Sequence, residues 1–213
     1  MSGDRAGVFS DPALSPTIEP VFVLGIDPGL SRCGYGLVEF RDRKPVARAI
    51  GVLRTPPDAE IPARLAGLQR ELRSLIDEYR PDVVALERVF FQVNVQTAIG
   101  VAQAAGLAMA EGSASGALVV EYTPNQVKEA VAGWGAASKE QMQQMVQSRL
   151  GLATAPKPAD AADAVAVALC HLAHAPMHEA TRRHLTAGQQ RATSQPRARS
   201  AVPRAHSHLE ARG

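Results

Sequence analysis

Val21-Phe22-Val23-Leu24-Gly25-Ile26 is an unbroken apolar run, and it stops at Asp27-Pro28-Gly29. A short apolar run bounded by a turn tripeptide reads as a buried strand followed by a tight turn. Downstream, Tyr35 to Phe40 and Val46 to Leu53 are two further strand candidates, the second closed by Pro56-Pro57. The linkers are too short for crossovers, so the three strands are expected as an antiparallel meander. Ile61, Leu65, Leu68, Leu72, Leu75, Ile76 and Tyr79 then recur at spacings of three and four, which predicts an amphipathic helix ending before Pro81.

The second half alternates. Val83 to Leu86 reads as a fully buried strand ending in Glu87. Asn94 is a candidate cap for a helix with Val95, Ile99, Ala102, Gly106 and Met109 on one face. Its small residues place it centrally or at a subunit contact. Ala117 to Tyr122 is the fifth strand. Thr123-Pro124-Asn125-Gln126 and Ser138 with Gln141 are two capping boxes, each opening a helix. Pro158 opens a last helix through about Ala173. Strand-helix-strand connections imply right-handed parallel crossovers. The expected fold is therefore α/β, a five-stranded mixed sheet with helices on both faces, which is the ribonuclease H-like arrangement.

The 213 residues are 46% hydrophobic and 21% charged, which supports a real core and excludes wholesale disorder. The net charge of +2 hides an asymmetry. The stretch from Pro176 onward holds seven Arg against two Glu, while Met1 to Pro20 is acidic and the middle is close to neutral. Both ends lack a periodic apolar face. The expected organisation is a disordered extension over 1–20, a nuclease-like domain over 21–175 and a basic disordered tail over 176–213. Cys33 and Cys170 suit neither a disulfide framework nor a zinc site. No secretory signal or membrane-length apolar run is visible, so a cytoplasmic protein with no membrane partner is expected.

Four carboxylates sit at the edges of apolar segments: Asp27, Glu87, Asp160 and Asp163. The first two end strands, where functional groups of open α/β sheets gather. The other two, three residues apart, share a face in the first turns of a helix, whose N-terminus favours their ionised form. Singly, each has an ordinary reading as a turn residue, a solvated strand end or a first-turn acid. Converging, they would repel, at roughly 4 kcal/mol for two unit charges 4 Å apart near a surface. Divalent cations would relieve that repulsion, and an oxygen-only donor set suits Mg²⁺ or Mn²⁺ better than zinc. Two such ions can activate water and steady the leaving oxygen of a phosphodiester.

Leu24-Gly25-Ile26-Asp27-Pro28-Gly29 with Gly34-Tyr35-Gly36, then Ala85-Leu86-Glu87-Arg88-Val89-Phe90, then Ala159-Asp160-Ala161-Ala162-Asp163-Ala164 resemble the RuvC family of bacterial Holliday junction resolvases. Gln126-Val127-Lys128 and Ser138-Lys139 are similar to that family's pattern between its second and third acidic motifs. The resemblance spans about Val21 to Ala175. It implies a homodimeric endonuclease, dependent on two Mg²⁺ or Mn²⁺ ions per site, that cuts opposed strands of a four-way DNA junction symmetrically and leaves 5′-phosphate and 3′-hydroxyl ends. By the same resemblance Asp27, Glu87, Asp160 and Asp163 are catalytic and hold the metals, and the enzyme works with the RuvA and RuvB branch-migration complex. Where family members often carry Arg, in the segment matching Gln103-Ala104-Ala105-Gly106, this chain has Ala105.

Three DNA-binding residues are expected beside the acids. Phe90 resembles the family's ring that stacks on an unpaired base, against the plainer reading of a core Phe. Lys128 and Lys139 begin helices and match phosphate-contacting positions, against the plainer reading of solvated helix faces. Arg88 and Trp134 are left unassigned. An actin-like ATPase also starts with a Gly-x-Asp-x-Gly strand but needs a duplicated domain, and a smaller RuvX-like nuclease lacks the Ala-Ala-Asp block. A non-catalytic junction-binding module on the same fold has no use for all four acids.

Overall fold

The computed structural model describes residues 21–42, 44–89 and 95–174, the side chains of 95–97 excepted. The extensions over 1–20 and 176–213, the cap at Asn94 and the stacking residue Phe90 lie outside the described residues.

Five strands form one sheet: β1 (Val21–Asp27), β2 (Arg32–Arg41), β3 (Lys44–Arg54), β4 (Val83–Glu87) and β5 (Leu118–Tyr122). Their order is β3-β2-β1-β4-β5. The first three pair antiparallel, and β1 with β4 and β4 with β5 pair parallel, as the element order requires. Helices α1 (Ile61–Tyr79) and α2 (Val95–Ala114) cover one face. Helices α3 (Pro124–Ala132), α4 (Lys139–Leu150) and α5 (159–174) cover the other.

Helix α1 stops at Tyr79, short of Pro81, with Arg80 in the left-handed region at φ 45° and its N–H bonded to the Ile76 carbonyl. Both capping boxes form. Thr123 and Ser138 accept from the N–H groups of Gln126 and Gln141, whose side chains accept in return from the cap backbones. Glu39 is fully buried in β2, which polarity alone argues against. It is held by Arg48 and by Arg41, whose Nε lies 2.8 Å from Oε1.

Helix α2 meets the core mainly through alanines, with Met109 of the expected face packed partly buried against the same cluster. Ala104, Ala105 and Ala108 are buried against α1 and the sheet, whereas Ile99 is half exposed and Gly106 faces open space. Small residues face the sheet on this side, and a Cβ on Gly112 would come within 2.9 Å of Val84.

Helix α5 sits on the sheet at a distance that only glycine permits. Gly25 and Gly36 are a cross-strand pair, as are Asp27 and Gly34. A Cβ on Gly25 would lie 2.1 Å from the Ala164 carbonyl oxygen, and one on Gly34 would lie 2.0 Å from the Asp160 carbonyl oxygen. These are backbone contacts that cannot give way. Ala164, Val165 and Ala168 line the contact, all buried. The glycines of β1 and β2 and the alanines of α5 are thus two halves of one interface, and they fix the start of α5 beside the end of β1.

Candidate active site

The site lies where β1 and β4 end. The two strands are parallel neighbours, with Gly25 opposite Ala85 and Ile26 opposite Leu86. The next residue on each is Asp27 or Glu87, so their carboxylates issue side by side from the carboxyl edge of the sheet. Glu87 is opposite Tyr122 of β5, whose carbonyl accepts from the Arg88 N–H at 2.8 Å. That bond holds the chain extended just past the acid. The glycine seat of α5 brings Asp160 and Asp163 from the third side.

Electrostatics shows that the four acids share one field. The Asp27 carboxyl is pushed up to about 7, first by burial and then by Asp163, Glu87 and Asp160 in turn, with Lys139 acting the other way. Burial also raises Glu87, followed by Asp163, while Lys128 and Lys139 oppose the shift. Lys139 is held protonated above its ordinary value, mainly by its hydrogen bond to Asp163. Its Nζ lies 2.9 Å from Asp163 Oδ2. On the far side Arg32 of β2 donates through Nη2 to Asp160 Oδ2.

Glu87, Lys128, Lys139 and Asp163 line one cleft of about 270 Å³, with Val127, Met142 and Ala166 along its apolar wall. Both lysines reach it because each follows a capping box: Lys128 lies in the first turns of α3, and Lys139 is the first residue of α4. Arg88 is exposed, and Trp134 is half exposed between Gly133 and Gly135.

Among the described residues no three of His, Cys, Asp or Glu converge closely enough to enclose a metal ion. Two of the four carboxylates instead engage cations of the chain itself, Asp160 with Arg32 and Asp163 with Lys139. The donor chemistry nevertheless fits a hard divalent cation. Every donor is a carboxylate oxygen, and beyond the larger effect of burial Asp163 raises both Asp27 and Glu87, so the acids lie within one another's reach.

The sequence reading missed Arg32 and the structural task of Gly25, Gly34 and Gly36. The signal for the glycines was their alternation across a strand turn, matched by the small residues around Asp160 and Asp163. Nothing local marks Arg32 as the partner of a residue 128 positions away.

The family model described as "Crossover junction endodeoxyribonuclease RuvC" matches residues 23–171. The RuvC protein of Salinispora arenicola is 54% identical over 151 residues, covering 70% of this chain and 86% of that protein. Among solved structures, Thermus thermophilus RuvC is 35% identical with a TM-score of 0.70, covering 74% of this chain and 97% of that one. The same bacterium's RuvC in complex with a Holliday junction substrate is 33% identical with a TM-score of 0.67, covering 74% and 96%.

Proposed function

The chain belongs to the RuvC family of crossover junction endodeoxyribonucleases and is a nuclease that resolves Holliday junctions, and from that premise we propose that Asp27, Glu87, Asp160 and Asp163 form its catalytic centre. The observation that carries the proposal is the convergence of the other three acids on a partly buried Asp27, whose carboxyl is raised to about 7 first by burial and then by Asp163, Glu87 and Asp160. Four acids gathered so closely repel one another and have little structural use, and they sit at the sheet edge where α/β folds place their chemistry.

The family is divalent-metal-dependent. Here the four carboxylates are the residues that would hold the metal, read as two Mg²⁺ ions with Mn²⁺ as a substitute. When bound, the ions would supply Lewis acidity and offset the charge that builds up as a phosphodiester is hydrolysed. The chain's own residues do the rest. Asp27 and Glu87, rooted in adjacent strands, present fixed oxygens and need no loop to order. Lys128 and Lys139 supply the positive charge of the cleft, which favours a backbone phosphate over bulk water. The apolar wall of Val127, Met142 and Ala166 lowers the local dielectric and strengthens each of these interactions. Phe90, three residues beyond Glu87, is assigned to stacking on an unpaired base at the junction centre.

Symmetric cutting of two opposed strands needs two sites related by a twofold axis, which supports a homodimer. The half-exposed Ile99 and open Gly106 on α2 support that helix as the contact. Family membership supports work alongside RuvA and RuvB in the cytoplasm. Among the described residues no helix is long and apolar enough to cross a membrane.

The test is Asp27→Asn on a synthetic four-way junction in Mg²⁺. The variant should bind the junction like the wild type and lose cutting by at least about a thousandfold, since Asn keeps the shape and removes the charge. Nicking within a few-fold of wild type would remove Asp27 from the centre.

A further inference from the structure

Arg32 opens β2, two residues before the Gly34 that seats the first turn of α5. Its guanidinium clasps Asp160 from the same hairpin, so the pair joins two elements that are already fixed to each other. Both side chains are reachable from solvent, at 45% and 29% exposure. On its outer side Arg32 lines a groove of about 430 Å³ with Ser31, Arg64 and Gln103. Arg64 is already engaged with Ser31 and Thr55. Arg32 is therefore the cation that stands between that groove and the acid cluster, and neither phosphate binding nor hydrolysis as proposed gives it a task.

A carboxylate offers about four lone-pair positions on two oxygens, and a guanidinium on one oxygen removes part of that capacity. It also places a full positive charge beside the point where a divalent ion must arrive. We infer that Arg32 is a positioning residue of the metal centre: it holds Asp160 as a built-in counter-cation and competes with the divalent ion for that carboxylate, so that it sets the ion concentration at which the site loads. The inference rests on the assignment of Asp160 as a metal ligand.

The experiment is a Mn²⁺ titration of the full-length, metal-free protein, followed by the electron paramagnetic resonance signal of free Mn²⁺. Arg32→Gln and Arg32→Met, both uncharged and of similar reach, should lower the half-saturating concentration about fivefold or more. Arg32→Lys restores the charge and should return it to near the wild-type value. In an Asp160→Asn background, where only the through-space repulsion remains, Arg32→Gln should lower half-saturation by less than twofold. A purely structural Arg32 would lower the melting temperature and leave half-saturation where it was, or raise it, in the uncharged variants; that result overturns the competing role. A shift of undiminished size in Asp160→Asn overturns it too. Absence of Mn²⁺ binding by the wild type overturns the metal assignment itself, and the Arg32 role with it.

Discussion

Asp27 pays for its position in stability. Burial and three neighbouring acids raise its carboxyl to about 7, so at pH 8 the metal-free protein holds an ionised group that its surroundings oppose. Asp27→Asn removes that opposition. The variant should melt about 2–6 °C higher than wild type in chelator at pH 8, and the difference should shrink when saturating Mg²⁺ is added. Differential scanning calorimetry checks both. Phe90→Ala, by contrast, should slow junction cleavage more than it weakens junction binding, because a stacked ring supports an opened centre and does not grip the backbone. Equal single-turnover rates for variant and wild type would return Phe90 to a packing role. Residues such as Asp27 and Glu87 were legible because each ends an apolar run, where an acid is conspicuous. Arg32 and Glu39 were not. A salt bridge between residues far apart in the chain, and a carboxylate buried by two arginines of its own hairpin, leave no periodic trace.

Elements were legible where their ends carry chemistry. The capping boxes at Thr123 and Ser138 gave the starts of α3 and α4 directly, because a side chain must meet the orphan N–H groups. The inner face of α2 was not legible, since an alanine-rich helix has almost no amphipathic contrast. The seat of α5 makes a sharp prediction. Gly34→Ala would drive a methyl group into the Asp160 backbone and should cost about 2–3 kcal/mol, with nicking down at least tenfold as the acids are displaced. Gly67→Ala in α1 meets only the far end of Arg70, at 3.9 Å, and should stabilise by about 0.5–1 kcal/mol. Urea unfolding of the two variants separates a close-contact glycine from a merely permissive one. Helices α1 and α2 are also tied by Glu111, which accepts from Gln69 at 2.6 Å and from Arg73 at 2.9 Å. These bonds, Arg73 first, lower the Glu111 carboxyl below its ordinary value. A lowered carboxyl contributes stability above its unfolded pKa and loses it as pH falls through the folded one. Glu111→Gln should therefore cost about 1 kcal/mol at pH 7, discounted because Arg73 is largely exposed, and progressively less as pH drops from 5 towards 3.

At the scale of the molecule, charge is distributed between a nearly neutral domain and an Arg-rich end. Removing Pro176 to Gly213 deletes seven Arg and two Glu and leaves the acid cluster in place. For every backbone phosphate that the tail neutralises, its removal should make the slope of log affinity against log salt shallower by about 0.9, with cut positions unchanged. Titrations of full-length and shortened protein against junction and linear duplex at several salt concentrations measure it, and parallel slopes would take the tail out of the DNA-binding surface. The whole architecture also carries a schedule. Asp27 and Glu87 belong to the sheet, whereas Asp160 and Asp163 arrive on the last described helix, whose seat on β1 and β2 is made ready long before it. A ribosome adding about 5–20 residues per second needs roughly 4 to 15 s to travel from one pair of acids to the other. Through that interval the growing chain holds the first four strands, then the fifth, and only two of the four acids. The glycine strip acts as a keyed socket awaiting its final part, so that a chain ending before Asp160 has the socket and only half of the proposed centre.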